Sequence, residues 1–138
     1  LHTRTRRQRQ MCIRDRHTAL TMEIIPEYIP DAHVNQVTRT RLNGTVQGVY
    51  YGPHNDVRNG QPGLWTFVYY VNDADGDTVF FSDEGKTEMK RTKYKKGNGV
   101  LFPAHYWHTM DVTSVPLRVS IGMTYSIETK LNAEETTA

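Results

Sequence analysis

A chain of 138 residues that is 37% hydrophobic, 23% charged and 10% aromatic has the material for one domain with a core and no room for two. No apolar run approaches the ~18 residues that span a bilayer, nothing near the start has the order of a secretory signal, and a lone cysteine, Cys12, excludes an intrachain disulfide framework and a cysteine-based zinc site. The net charge of +2 invites a nucleic-acid reading only until it is located: residues 1–16 hold six Arg and one Asp, leaving 11 basic against 14 acidic side chains over residues 17–138.

Residues 1–16, LHTRTRRQRQMCIRDR, have almost nothing apolar to dock, and the stretch RRQRQMCIRDR resembles a reading frame through a sequencing adapter. They are expected to be a non-native, disordered leader on a shotgun fragment whose authentic start is lost, followed by one N-terminally truncated domain over 17–127 and a fraying polar tail over 128–138. In EIIPEYIPD, Pro26 and Pro30 predict an irregular entry or edge strand rather than a helix. From Val34 onward the β-favouring runs VTRTRL, TVQGVYY, LWTFVYYV, DTVFF, GVLF, HYWHTMDV and LRVSIGMTYSI are separated by Gly, Asn, Asp and Pro, and none keeps a 3.6-residue apolar period. Such spacing predicts an all-β sandwich, barrel or jelly roll, with Asn43-Gly44 and the Asp73 to Asp77 segment as hairpin turns.

Three groups of residues carry chemistry. His54 and Asp56 form a His-x-Asp pair, and on a strand positions i and i+2 project from one face toward one point. The apolar run Gly99 to Phe102 leads through Pro103 to His105 and His108; these two face opposite ways in a regular strand, and His108 is assigned inward, His105 outward. Two histidines and one carboxylate make the facial triad of non-haem iron(II) oxygenases, with three coordination positions left for substrates. Arg118 and Ser120 again share a strand face, where a guanidinium fork beside a hydroxyl suits a carboxylate, and an inward Arg among Leu117, Val119 and Ile121 would need an anionic partner.

In this order the residues resemble the 2-oxoglutarate and iron(II)-dependent dioxygenases, of the small prolyl-hydroxylase-like kind found in bacteria and phages. The likeness runs from Thr38 to Ile127 and includes LWTFVYYVN and GDTVFF. It implies a double-stranded β-helix in which His54, Asp56 and His108 hold Fe(II), Arg118 and Ser120 hold the 5-carboxylate of 2-oxoglutarate with Tyr70 as a hydroxyl donor, and O2 is the second co-substrate. Tyr51 or Tyr50 falls where the 1-carboxylate would be met. The implied reaction hydroxylates a primary substrate, a peptide side chain such as proline or a metabolite, with release of succinate and CO2. A bacterial or phage-infected cytoplasm is the expected location, with no membrane partner. Nucleic acid is not expected, because Thr124 stands where the family's nucleic-acid demethylases carry a second Arg.

Two rival readings use the same residues. Gly97, Pro103 and His108 match much of the second cupin motif, but Asp56 follows His54 where that family needs His-x-His with a nearby Glu. Asp73, Asp75, Asp77 and Glu84 keep the spacing of a calcium loop, but Thr78 occupies its glycine position. A non-catalytic jelly-roll module would leave His54, Asp56, His108 and Arg118 without a purpose.

Overall fold

The computed structural model describes residues 25–29, 31–57 and 63–128. The leader over 1–16, with Cys12, and the tail from 129 onward lie outside them. The chain divides into a unit of residues 36–126 and a unit of residues 1–35 with 127–138. Of the second, residues 25–28 are helical, with the Ile29 amide donating to the Ile25 carbonyl at 2.9 Å. The expected irregular or edge-strand segment is therefore corrected: the helical bond uses the amide of Ile29, so Pro26 withholds none of it.

Within the unit of residues 36–126 every regular element but one short turn is a strand. β1 (His33–Val46), β2 (Leu64–Tyr70), β5 (Gly99–Pro103) and β7 (Leu117–Glu128) form one sheet in the order β1-β7-β2-β5. β3 (Thr78–Ser82), β4 (Thr87–Thr92) and β6 (Trp107–Met110) form a second sheet in the order β4-β3-β6, with a 3-10 turn at Asp83–Gly85. This is the all-β architecture that the strand spacing predicts, in the jelly-roll form that the family resemblance implies.

Register decides which side chains face inward. β2 and β7 run antiparallel with Thr66 opposite Thr124, Val68 opposite Gly122 and Tyr70 opposite Ser120, so one face of that pair is built from small or hydroxyl-bearing residues. Aromatic and thioether groups alternate onto the other face, where Met123 and Tyr125 are buried. β5 approaches β2 so closely that a Cβ on Gly99 would lie 2.6 Å from the Phe67 ring, which only glycine avoids. In the second sheet Phe80 lies opposite His108, and Val79 and Phe80 supply its buried apolar side chains.

Three expectations about connections are corrected. Asn43-Gly44 is not a turn but part of β1, and the reversal comes at Gln47-Gly48, where Gly48 has φ of 78°. The Asp73 to Asp77 segment is not a hairpin; it links β2 to β3 and so carries the chain from one sheet to the other. HYWHTMDV is strand only from Trp107, because Tyr106 closes a turn by donating to the Pro103 carbonyl at 3.0 Å. β4, TEMKRT, was not foreseen.

Candidate metal centre

The two imidazoles are brought together by main chain. His54 and His108 form an isolated antiparallel bridge, each amide donating to the other's carbonyl at 2.9 and 2.8 Å. Directly opposed residues in such a pair project to the same side, and the rings lie 4.5 Å apart between centroids. Asp56 follows two residues later, its amide anchored to the Ala104 carbonyl at 2.9 Å. One ligand atom from each of His54, Asp56 and His108 lies within 4.8 Å of the others. His105 is exposed and packs on Tyr106, away from this cluster.

Two of the three donors are prepared for a cation. His108 packs among Phe80 and Phe102, and this burial pushes its pKa below the ordinary imidazole value, favouring the neutral ring that can ligate. Its Nδ1 lies 2.9 Å from the Tyr106 carbonyl, so the Nδ1–H tautomer donates there and leaves Nε2 free, 3.7 Å from Asp56 Oδ2. Burial would raise the Asp56 pKa, but the Thr66 hydroxyl, His108 and the Arg39 guanidinium outweigh it and hold the carboxyl below its usual value. The contacts are specific: Thr66 Oγ1 donates to Oδ2 at 2.8 Å and Arg39 donates to Oδ1 at 2.6 Å. Two imidazoles beside an ionised, oriented oxygen fit a divalent first-row metal such as iron(II).

The cluster opens into a cavity of about 640 Å³ between the two sheets, lined by His54, Asp56 and His108 and also by Arg118, Ser120 and Thr78. Arg118 is 3% exposed, yet no carboxylate lies within ion-pair distance of it among the described residues. Its Nε donates to the Gly76 carbonyl at 3.1 Å, and its guanidinium carbon lies 4.5 Å from the centre of the Tyr94 ring. Desolvation lowers its pKa, against the opposing pull of Tyr94, Tyr70 and the Asp77 carboxylate. Tyr70 is fully buried and does not line the cavity; its hydroxyl pairs at 2.8 Å with Thr78 Oγ1, and Thr78 is the residue at the wall. Tyr51 lines the cavity and Tyr50 does not.

Sequence reasoning missed Arg39, Thr66, Thr78 and Tyr94. Arg39 sits in the alternating polar run TRTR, a pattern that equally describes a solvent-facing strand. Only the folded register shows that its face turns toward Asp56.

A jelly roll with two imidazoles and a carboxylate at one cavity wall is an arrangement that could hold a single metal ion through mixed nitrogen and oxygen ligands. Residues 36–125 match the model of the 2OG-Fe(II) oxygenase superfamily, and the chain belongs to that superfamily. A crystal structure of an oxidoreductase of the 2OG-Fe(II) oxygenase family from Burkholderia pseudomallei is similar, with a TM-score of 0.64 at 16% identity, over 80% of this chain and 57% of that one. The chain thus spans little more than half of that protein. A Neisseria meningitidis protein gives a TM-score of 0.41 at 15% identity over 78% of this chain and 95% of its own. No curated protein matches the sequence significantly. Among the described residues no helix is long and apolar enough to cross a membrane.

Proposed function

We propose that the protein is an iron(II)- and 2-oxoglutarate-dependent dioxygenase that hydroxylates a primary substrate, a peptidyl proline, another side chain or a metabolite, and releases succinate and CO2. The observation that carries this reading is one cavity holding both the His54, Asp56 and His108 cluster and a buried Arg118 without a carboxylate partner. In it His54, Asp56 and His108 hold the metal. When bound, iron(II) supplies the redox chemistry that couples 2-oxoglutarate decarboxylation with O2 to hydroxylation.

The chain's own groups bind and orient. Arg118, with the Ser120 and Thr78 hydroxyls beside it, receives the 5-carboxylate, which gives the buried guanidinium the anion it lacks. Tyr70 acts through Thr78, holding that hydroxyl toward the cavity. Arg39 and Thr66 fix the Asp56 carboxylate against rotation, and Phe80 and Phe102 keep water from the His108 ring.

Incubation with iron(II), 2-oxoglutarate and candidate substrates, read as succinate formed, tests the proposal. The wild-type protein should produce succinate and His108→Ala none. A wild-type protein that neither forms succinate nor binds 2-oxoglutarate overturns it.

A further inference from the structure

The cavity carries more positive charge than the groups assigned to it require. Among the described residues its wall holds three guanidinium groups, Arg39, Arg41 and Arg118, against one carboxylate, Asp56. A divalent cation and the 2-oxoglutarate dianion cancel, so the surplus persists with both bound. Arg118 is accounted for by the co-substrate, and Arg39 by its 2.6 Å contact with Asp56. Arg41 has no ion pair or side-chain hydrogen bond among the described residues.

Strand geometry explains why Arg41 lines the cavity. Arg39, Arg41, Asn43 and Thr45 alternate along β1, and all four line it. The two-residue step puts Arg41 roughly 7 Å along the strand from Arg39, the residue that touches the metal-binding carboxylate. An exposed aromatic group, Tyr51, lines the same cavity. The result is a free guanidinium fork beside apolar surface, within reach of the metal cluster.

We propose that Arg41 anchors an anionic group of the primary substrate, a small organic carboxylate or phosphate monoester whose apolar body lies against Tyr51. The inference rests on reading the cavity as the 2-oxoglutarate site. A cavity of about 640 Å³ is of small-molecule size, and a planar guanidinium meets either anion through paired hydrogen bonds.

The test measures binding without turnover. Protein loaded with zinc(II) in place of iron(II) and saturated with 2-oxoglutarate is titrated calorimetrically with N-acetylphenylalanine, its neutral amide and phenyl phosphate. At least one anion should bind about tenfold or more tightly than the amide, and the tighter of the two identifies carboxylate or phosphate as the recognised group. Arg41→Gln should bring both anions to the level of the amide, with 2-oxoglutarate affinity held within about twofold, while Arg41→Lys keeps part of the preference. Arg41 is exposed, so these variants should melt with the wild type. Equal affinity for acids and amide, a preference that survives Arg41→Gln, or no probe binding by protein that binds 2-oxoglutarate each overturns the inference. Failure of 2-oxoglutarate itself to bind is a separate result that overturns the parent reading and the inference with it.

Discussion

At Arg118 stability and ligand binding pull in opposite directions. A guanidinium buried without a carboxylate partner is a cost to the ligand-free fold, only partly offset by the Gly76 carbonyl and the Tyr94 ring. Arg118→Met keeps much of the length and the aromatic packing while removing the charge. The ligand-free variant should therefore melt at or above the wild-type temperature. Its 2-oxoglutarate affinity should fall by roughly 30-fold to several thousand-fold, the loss of about 2 to 5 kcal/mol expected when one partner of a desolvated charge pair is removed. Zinc affinity should not change, which calorimetry on the same sample checks. Gly76 acts on the same group. It has φ of 89°, and a Cβ there would lie 2.8 Å from the Asp111 carbonyl. Gly76→Ala should cost about 1 to 3 kcal/mol in thermal or urea denaturation, and it should weaken 2-oxoglutarate binding as well, since the Gly76 carbonyl orients the Arg118 fork.

Among the elements, the connection from β6 to β7 is anchored by Asp75. Asp75 accepts from Ser114 Oγ, from Thr113 Oγ1 at 2.6 Å and from the Ser114 amide at 2.8 Å, and these bonds hold its carboxyl far below the usual carboxylate range. The same connection receives the turn after β1, through Gly48 N to Thr113 O at 3.2 Å. Because the folded pKa is depressed, the anchor contributes above the unfolded value of about 3.9 and is lost as pH falls through the folded one. The melting-temperature gap between wild type and Asp75→Asn should be full at neutral pH and narrow progressively as pH falls below about 4 toward the depressed folded value. A gap independent of pH would remove the ionised carboxylate from this account.

How far the elements could be read beforehand follows from where their side chains go. β2, β3, β5 and β7 carry apolar residues between Gly, Asp and Pro breakers and are plain in the sequence. β4 is polar but for the exposed Met89 because it is an edge strand with exposed residues on both faces, held by its ladder to β3, and no hydrophobic pattern announces it. Asn43-Gly44 has the composition of a turn, yet the strand runs through it. His54, Asp56, His108, Arg118 and Ser120 could be named from residue chemistry and order. Arg39 and Thr66 could not, since their contacts with Asp56 exist only once β1, β2 and the segment before β2 are in register.

For the molecule as a whole, main-chain hydrogen bonds hold the segments that carry the candidate ligands. The reciprocal bridge between His54 and His108 and the Asp56 amide bond to Ala104 use main-chain atoms only and leave the imidazoles and the carboxylate to a cation. Chelation should leave the far-ultraviolet circular dichroism unchanged, and readdition of a divalent ion should raise stability only by mass action, about 2.7 kcal/mol at a hundred times the Kd. Loss of the β signal on chelation would refute this. The bridge also has a kinetic consequence. A site that exists before its ion arrives fills in one bimolecular encounter, so in stopped-flow mixing the observed uptake rate should rise in proportion to ion concentration. It should show no plateau set by rearrangement of the chain, and an emptied protein would be ready for its next ion as soon as one collides with it.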